Sequence, residues 1–128
     1  MAGGAGLRAQ TGASVRDGIY TEAQAKRGDE GYHKECASCH GAEMEGKGQA
    51  PALKGMEFTA NWTGQTVGDL FEKIQGSMPA DRPGQLSGET NAAILAYILQ
   101  RNGFPGGKQE LAGEAEALRK IRFEAATR

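Results

Sequence analysis

The 128-residue chain is 38% hydrophobic and 6% aromatic, with 20 glycines; that is enough for one domain but lean for a large core built of side chains alone. A net charge of -1, with no basic run interleaved with aromatics, argues against nucleic acid as a partner. The longest apolar run, AAILAYIL at 92–99, is far shorter than the ~20 residues a membrane-spanning helix needs, so the chain is expected to be soluble.

Residues 1–18 are rich in Gly and Ala and read as a flexible arm. They lack the charged and apolar regions of an intact export signal and are compatible with the tail left by one. YTEAQAKRGDEGYHKEC then predicts a helix running up to the cysteines, with Thr21 as N-cap, Gln24 completing a capping box and Tyr20 placed for a hydrophobic staple. The stretch 41–65, crowded with Gly and carrying Pro51, reads as a long loop wrapped around something, and such loops are usually functional. Val67, Leu70, Phe71 and Ile74 recur at helical spacing over 66–75, with Thr66 to cap the helix and Gly76 to end it. In 76–87, GSMPADRPGQLS, two prolines and two glycines exclude regular structure and hold Met78 in an extended loop.

The strongest helix follows, with Ser87 as N-cap, Ile94, Tyr97 and Ile98 on one face, and Gly103 and Pro105 as the stop. A last amphipathic stretch, GEAEALRKIRF, sets Leu118 and Ile121 together, acids early and bases late, as the helix dipole favours. No alternating segment is long enough for a sheet. The expected class is all-α, three to five helices with long loops, in a domain at 19–106 followed by a helical extension at 107–128 packed on it.

Both cysteines and one of the two histidines sit in CASCH, residues 36–40. A thioredoxin-like dithiol needs its C-x-x-C at the start of a helix in a βαβ setting, but here the cysteines follow a helix and no strands flank them. A structural zinc site drawing on Cys36, Cys39 and His33 or His40 would crowd its ligands together, with no second Cys/His pair to complete it. C-x-x-C-H is also the attachment sequence of c-type haem: two thiols at this spacing add to two vinyl groups on one porphyrin edge, and the adjacent His falls beneath the iron. A haem accounts for the modest apolar fraction, because a large flat ligand takes the place of core side chains. Two cysteines without a role would leave the Gly-rich wrap and the Pro-flanked Met78 unexplained.

From about Thr21 to Pro105 the chain resembles a class I cytochrome c. Members of that family carry a Gly and an aromatic eight and four residues before the first Cys, as Gly28 and Tyr32 stand here, and an aliphatic–aromatic pair on the C-terminal helix, which Ile94 or Leu95 supplies with Tyr97. Gly within a helix costs about 1 kcal/mol relative to Ala, so close helix packing is its natural justification. The resemblance implies one haem c, bound through Cys36 and Cys39, with His40 as an iron ligand, the Pro51 carbonyl accepting a hydrogen bond from His40, and Leu53 touching the haem face. It implies Met78, in its usual place before a Pro, as the second iron ligand, leaving Met44 and Met56 as gap-filling thioethers. Trp62 corresponds to an indole that hydrogen-bonds a haem propionate, with simple packing the alternative. Arg82 is expected to be a surface charge rather than a propionate partner, and His33 to be exposed.

An iron held by both His and Met has no open position, so the implied function is one-electron transfer between Fe(III) and Fe(II) rather than enzymatic turnover. The segments DGIYTEAQAKRG and ILAYILQRNGFPGG resemble cytochrome c domains found beside pyrroloquinoline-quinone alcohol or sugar dehydrogenases. That implies a dehydrogenase as donor and a terminal oxidase or another cytochrome as acceptor, for a monomer in the periplasm, where haem is attached. The alternatives are a haem-bearing subunit or domain of a larger dehydrogenase, and a haem peroxidase or gas sensor with a labile sixth ligand. No strongly basic surface is present for docking through a ring of lysines.

Overall fold

The computed structural model describes residues 13–48 and 50–124. Six helices make up its frame: α1 (Glu22–Glu35), α2 (Ala37–His40), α3 (Met56–Trp62), α4 (Val67–Ser77), α5 (Gly88–Arg101) and α6 (Ala115–Leu118). Two short strands, β1 (Ala13–Ser14) and β2 (Ile121–Arg122), pair in parallel.

The frame is set where α1 crosses α5. A Cβ on Gly28 would overlap the Ala93 carbonyl, so the two backbones meet directly and only Gly fits. The Tyr32 and Tyr97 rings meet at 5.8 Å beside the crossing. Helix α5 is buried from Asn91 through Leu99, not on one face alone, and is therefore the central helix.

The caps explain where the helices begin. Thr21 Oγ1 accepts from the Gln24 N–H at 3.0 Å, but the Gln24 amide does not complete a capping box. It is buried and turned to the C-terminal segment, donating to the Leu111 carbonyl at 3.0 Å and accepting the Leu111 N–H at 2.8 Å. Thr66 and Asp69 do form the reciprocal box at the start of α4. That helix passes through Gly76 to Ser77, because the Met78 N–H still donates to the Ile74 carbonyl at 2.9 Å.

Three further expectations are corrected. Residues 1–12 lie outside the described residues, but Ala13 to Gly18, expected as part of a flexible arm, are packed. Val15 is fully buried, Ser14 and Asp17 cap one another around a 3-10 turn, and Gly18 adopts φ +75° against Gly106. The loop expected over 41–65 contains α3, a helix whose Phe58 is buried in the core.

The helix expected over 113–123 is one turn followed by β2. Phe123 is the cause: fully buried, it donates its N–H to Gln65 O at 2.8 Å and accepts from Gly64 N at 3.1 Å, and these bonds hold the backbone extended. Its ring meets Phe58 and Phe104 edge-on at 6.0 and 5.5 Å. The extension is thereby part of the core, with α6 pressed on Gly68 of α4.

Candidate functional site

The CASCH segment sits at the end of α1. The Cys36 N–H closes that helix on the Tyr32 carbonyl at 2.8 Å, and the chain coils at once into α2, where the Cys39 and His40 N–H groups both return to the Cys36 carbonyl, at 3.2 and 3.0 Å. One turn thus carries both thiols at i, i+3 spacing, which places them on one face. They are free: Cys36 is half-buried and Cys39 exposed. Burial, with Glu35 and the second cysteine adding, pushes the Cys36 thiol up to about 11, whereas a reactive dithiol needs its thiolate stabilised.

His40 is 6% exposed, and its Nδ1 lies 2.8 Å from the Pro51 carbonyl. A carbonyl can only accept, so Nδ1 carries the proton, and in the neutral ring Nε2 keeps the lone pair. The intervening chain is folded to deliver that carbonyl. The Gly46 N–H donates to the His40 carbonyl at 2.7 Å, and a Cβ on Gly46, at φ +85°, would stand 2.8 Å from Ala52 N. Met44, the one non-Gly residue at positive φ (63°) among the described residues, accepts the Leu53 N–H on its carbonyl at 3.0 Å. From outside, the buried Tyr32 hydroxyl donates to Gly41 O at 2.6 Å, and Asn102 donates to Leu53 O at 3.0 Å while accepting from Gly55 N at 2.9 Å.

Gly46 and Asn102 were not singled out from the sequence. An Asn just after a helix, beside a Gly, carried a signal of capping but none of its reach to Leu53.

The other expected residues are less tightly held. Leu53, Trp62 and Met78 are each half-buried, and the Trp62 indole has no hydrogen-bond partner among the described residues. The remaining methionines divide sharply: Met44 is fully buried, while Met56 is 87% exposed, which corrects the expectation of a gap-filling thioether there. His33 is exposed and turned to its own helix, Nδ1 lying 2.8 Å from Asp29 Oδ1. Arg82 pairs with Glu35 at 2.7 Å.

These residues fit a haem. An oriented imidazole with one nitrogen free stands beside two unpaired thiols on one helical turn. Leu53, Trp62, Ile74 and Leu86 pack on the core with part of their surface uncovered. Among the described residues no group of three or more His, Cys, Asp and Glu is placed to hold a metal ion, so the zinc alternative lacks a ligand set.

The helical frame and the C-x-x-C-H turn define a class I c-type cytochrome. Residues 23–98, more than half of the chain, match the model of the family described as cytochrome c oxidase, cbb3-type, subunit III, and the chain belongs to that family. Among solved structures it is similar to a chain of the sulfane dehydrogenase SoxCD from Paracoccus pantotrophus. The identity is 23% and the TM-score 0.55, over 88% of this chain and 60% of that one; the likeness is one of fold. No curated protein matches the sequence. No described helix is long and apolar enough to cross a membrane.

Proposed function

We propose that the protein carries one electron at a time on a single haem c, tethered by thioether bonds to Cys36 and Cys39 and ligated by His40 Nε2 and the Met78 sulfur. The observation that carries this reading is the 2.8 Å contact between His40 Nδ1 and the Pro51 carbonyl, on the same turn as two free thiols. When bound, the haem supplies an iron that cycles between Fe(III) and Fe(II). The residues do the rest. The Pro51 carbonyl holds the imidazole in one tautomer and makes Nε2 a stronger donor. The Met78 thioether is soft and favours the reduced iron. Leu53 would cover the ring, and the Trp62 indole N–H, unpartnered among the described residues, would be available to a propionate. Were His40 and Met78 both to ligate the iron, no position would be left there for a substrate, which favours a carrier over an enzyme.

The proposed donor is a dehydrogenase and the acceptor a terminal oxidase or another cytochrome, met through a small and short-lived contact in the periplasm. A second reading, a haem-bearing subunit of a larger enzyme, is favoured by the family description, which names an oxidase subunit, and by the sulfane dehydrogenase whose fold is similar. Gel filtration beside the dehydrogenase separates the two: a free carrier elutes alone as a monomer, a subunit co-elutes.

The ligand set is tested by the ferric spectrum of protein matured with haem. Thioether ligation predicts the weak far-red band of a Met-bound ferric haem, and that band should vanish in Met78→Ala. A high-spin wild-type spectrum would instead support a peroxidase or gas sensor.

A further inference from the structure

The segment carrying Met78 is anchored at its two ends and, beyond the buried Pro79, has few polar ties between them. At its base, the fully buried Asn91 uses one amide nitrogen for both ends, donating to Gln75 Oε1 on α4 at 3.2 Å and to the Leu86 carbonyl at 3.4 Å. Across the tip, the Arg82 N–H to Pro79 O (2.9 Å) and Gln85 N–H to Arg82 O (3.2 Å) bonds are internal and tie the loop to nothing else. Pro79 is buried at the start of the tip, and among the described residues one side-chain hydrogen bond joins 79–85 to another element: Arg82 Nη2 donates to Glu35 Oε1 at 2.7 Å. Glu35 is the last residue of α1 and directly precedes Cys36.

We propose that Glu35 and Arg82 are a latch, a pair of positioning residues that holds the tip of the Met78 loop against the attachment turn and so keeps the thioether at the iron. The proposal rests on Met78 being the sixth ligand. The pair differs from an ordinary surface ion pair in its burial. Glu35 is 14% exposed against 48% for Arg82, whereas Arg27–Glu110 leaves both partners well exposed, at 57% and 44%. Exposed pairs contribute little because water screens each charge and competes for it. A shielded carboxylate has less water to turn to when its partner leaves, so opening the loop strands it. Asp81 Oδ2, 3.8 Å from Arg82 Nε, lies on the loop itself and opens with it. The latch ties the distal ligand to the residue beside a covalent tether.

The test uses the ferric holoprotein titrated with imidazole, which takes the sixth position only when Met78 leaves. Glu35→Gln and Arg82→Gln should each raise imidazole affinity by about 3- to 10-fold, with the double variant no weaker in holding Met78 than either single one, as coupled residues behave. Arg27→Gln, which breaks the exposed pair, should stay at the wild-type value. Equal affinity in Glu35→Gln and Arg27→Gln overturns the latch. Should Met78→Ala leave the ferric spectrum unchanged, the ligand assignment fails instead. Hydrogen exchange at the Arg82 and Gln85 amides then still decides whether the pair holds the loop: faster exchange in Glu35→Gln supports it, and an unchanged rate refutes it.

Discussion

The two sides of the candidate haem site are built by different means. On the His40 side the chain closes on itself through backbone bonds, Gly46 to His40 and Leu53 to Met44, and Tyr32 and Asn102 brace it from outside. On the Met78 side the loop is fastened at its base by Asn91 and the buried Pro79, and its tip makes one ion pair to another element. The contrast teaches that the imidazole is placed by backbone geometry, which substitutions alter only by breaking the fold locally. Met78 itself is capped onto α4 by its N–H bond to Ile74 O, but the loop beyond it is held to the rest of the protein by side chains, which can let go without unfolding anything else. If the iron is ligated as proposed, displacement of Met78 is therefore the soft motion expected, and loss of His40 is not.

Both sides hang on the crossing of α1 and α5, so the largest effect comes from breaking it. Gly28→Val forces the helices apart at the Ala93 carbonyl; it should cost more than about 3 kcal/mol and loosen both ligands together, seen as a large fall in melting temperature by circular dichroism. The next largest comes from Met78→Ala, which should leave the helical spectrum intact while abolishing the far-red band and lowering the reduction potential, because a ligand that favours Fe(II) is lost. Gly46→Ala strikes the other side. With φ +85° and a Cβ 2.8 Å from Ala52 N, it should cost about 1–2 kcal/mol. A weaker Pro51 hydrogen bond makes His40 a poorer donor to Fe(III), so the potential should rise slightly. Opposite signs in the two variants, measured by redox titration, would sharpen the contrast; equal signs would dissolve it.

The smallest effect lies outside both regions. Hydrogen bonding to the Asp29 backbone, with the Asp29 carboxylate adding, raises the His33 pKa above its ordinary value. A group whose pKa is raised on folding stabilises fully below its unfolded value, about 6.5, and loses that contribution as pH rises through the folded value. Melting curves of wild type and His33→Gln should therefore differ slightly at pH 5 and converge at alkaline pH; a gap that widens with pH contradicts this.

Much of this arrangement was legible in residue patterns, and the exceptions have physical causes. Caps such as Thr21, Thr66 and Ser87 act within three residues of themselves, so they can be read locally. Gly28 was legible because a helix interior tolerates Gly only for a reason, here the Ala93 carbonyl. The packed Ala13–Gly18 segment was not, since its order comes from β2, more than a hundred residues away in sequence. Phe123 was equally hidden, because its extended backbone is dictated by carbonyl and amide groups of Gln65 and Gly64. In α3, Phe58 and Trp62 do stand four apart, but the surrounding glycines masked so short a helix. The Glu35–Arg82 contact joins residues 47 positions apart and leaves no local trace.

Everything proposed for this protein depends on a haem fixed covalently to Cys36 and Cys39 with His40 as its iron ligand. Intact mass spectrometry of protein expressed with haem-attachment machinery tests it most directly. One species heavier than the polypeptide by a single haem is expected, with the added mass lost in Cys36→Ala plus Cys39→Ala. The bare polypeptide mass from fully matured protein would contradict it.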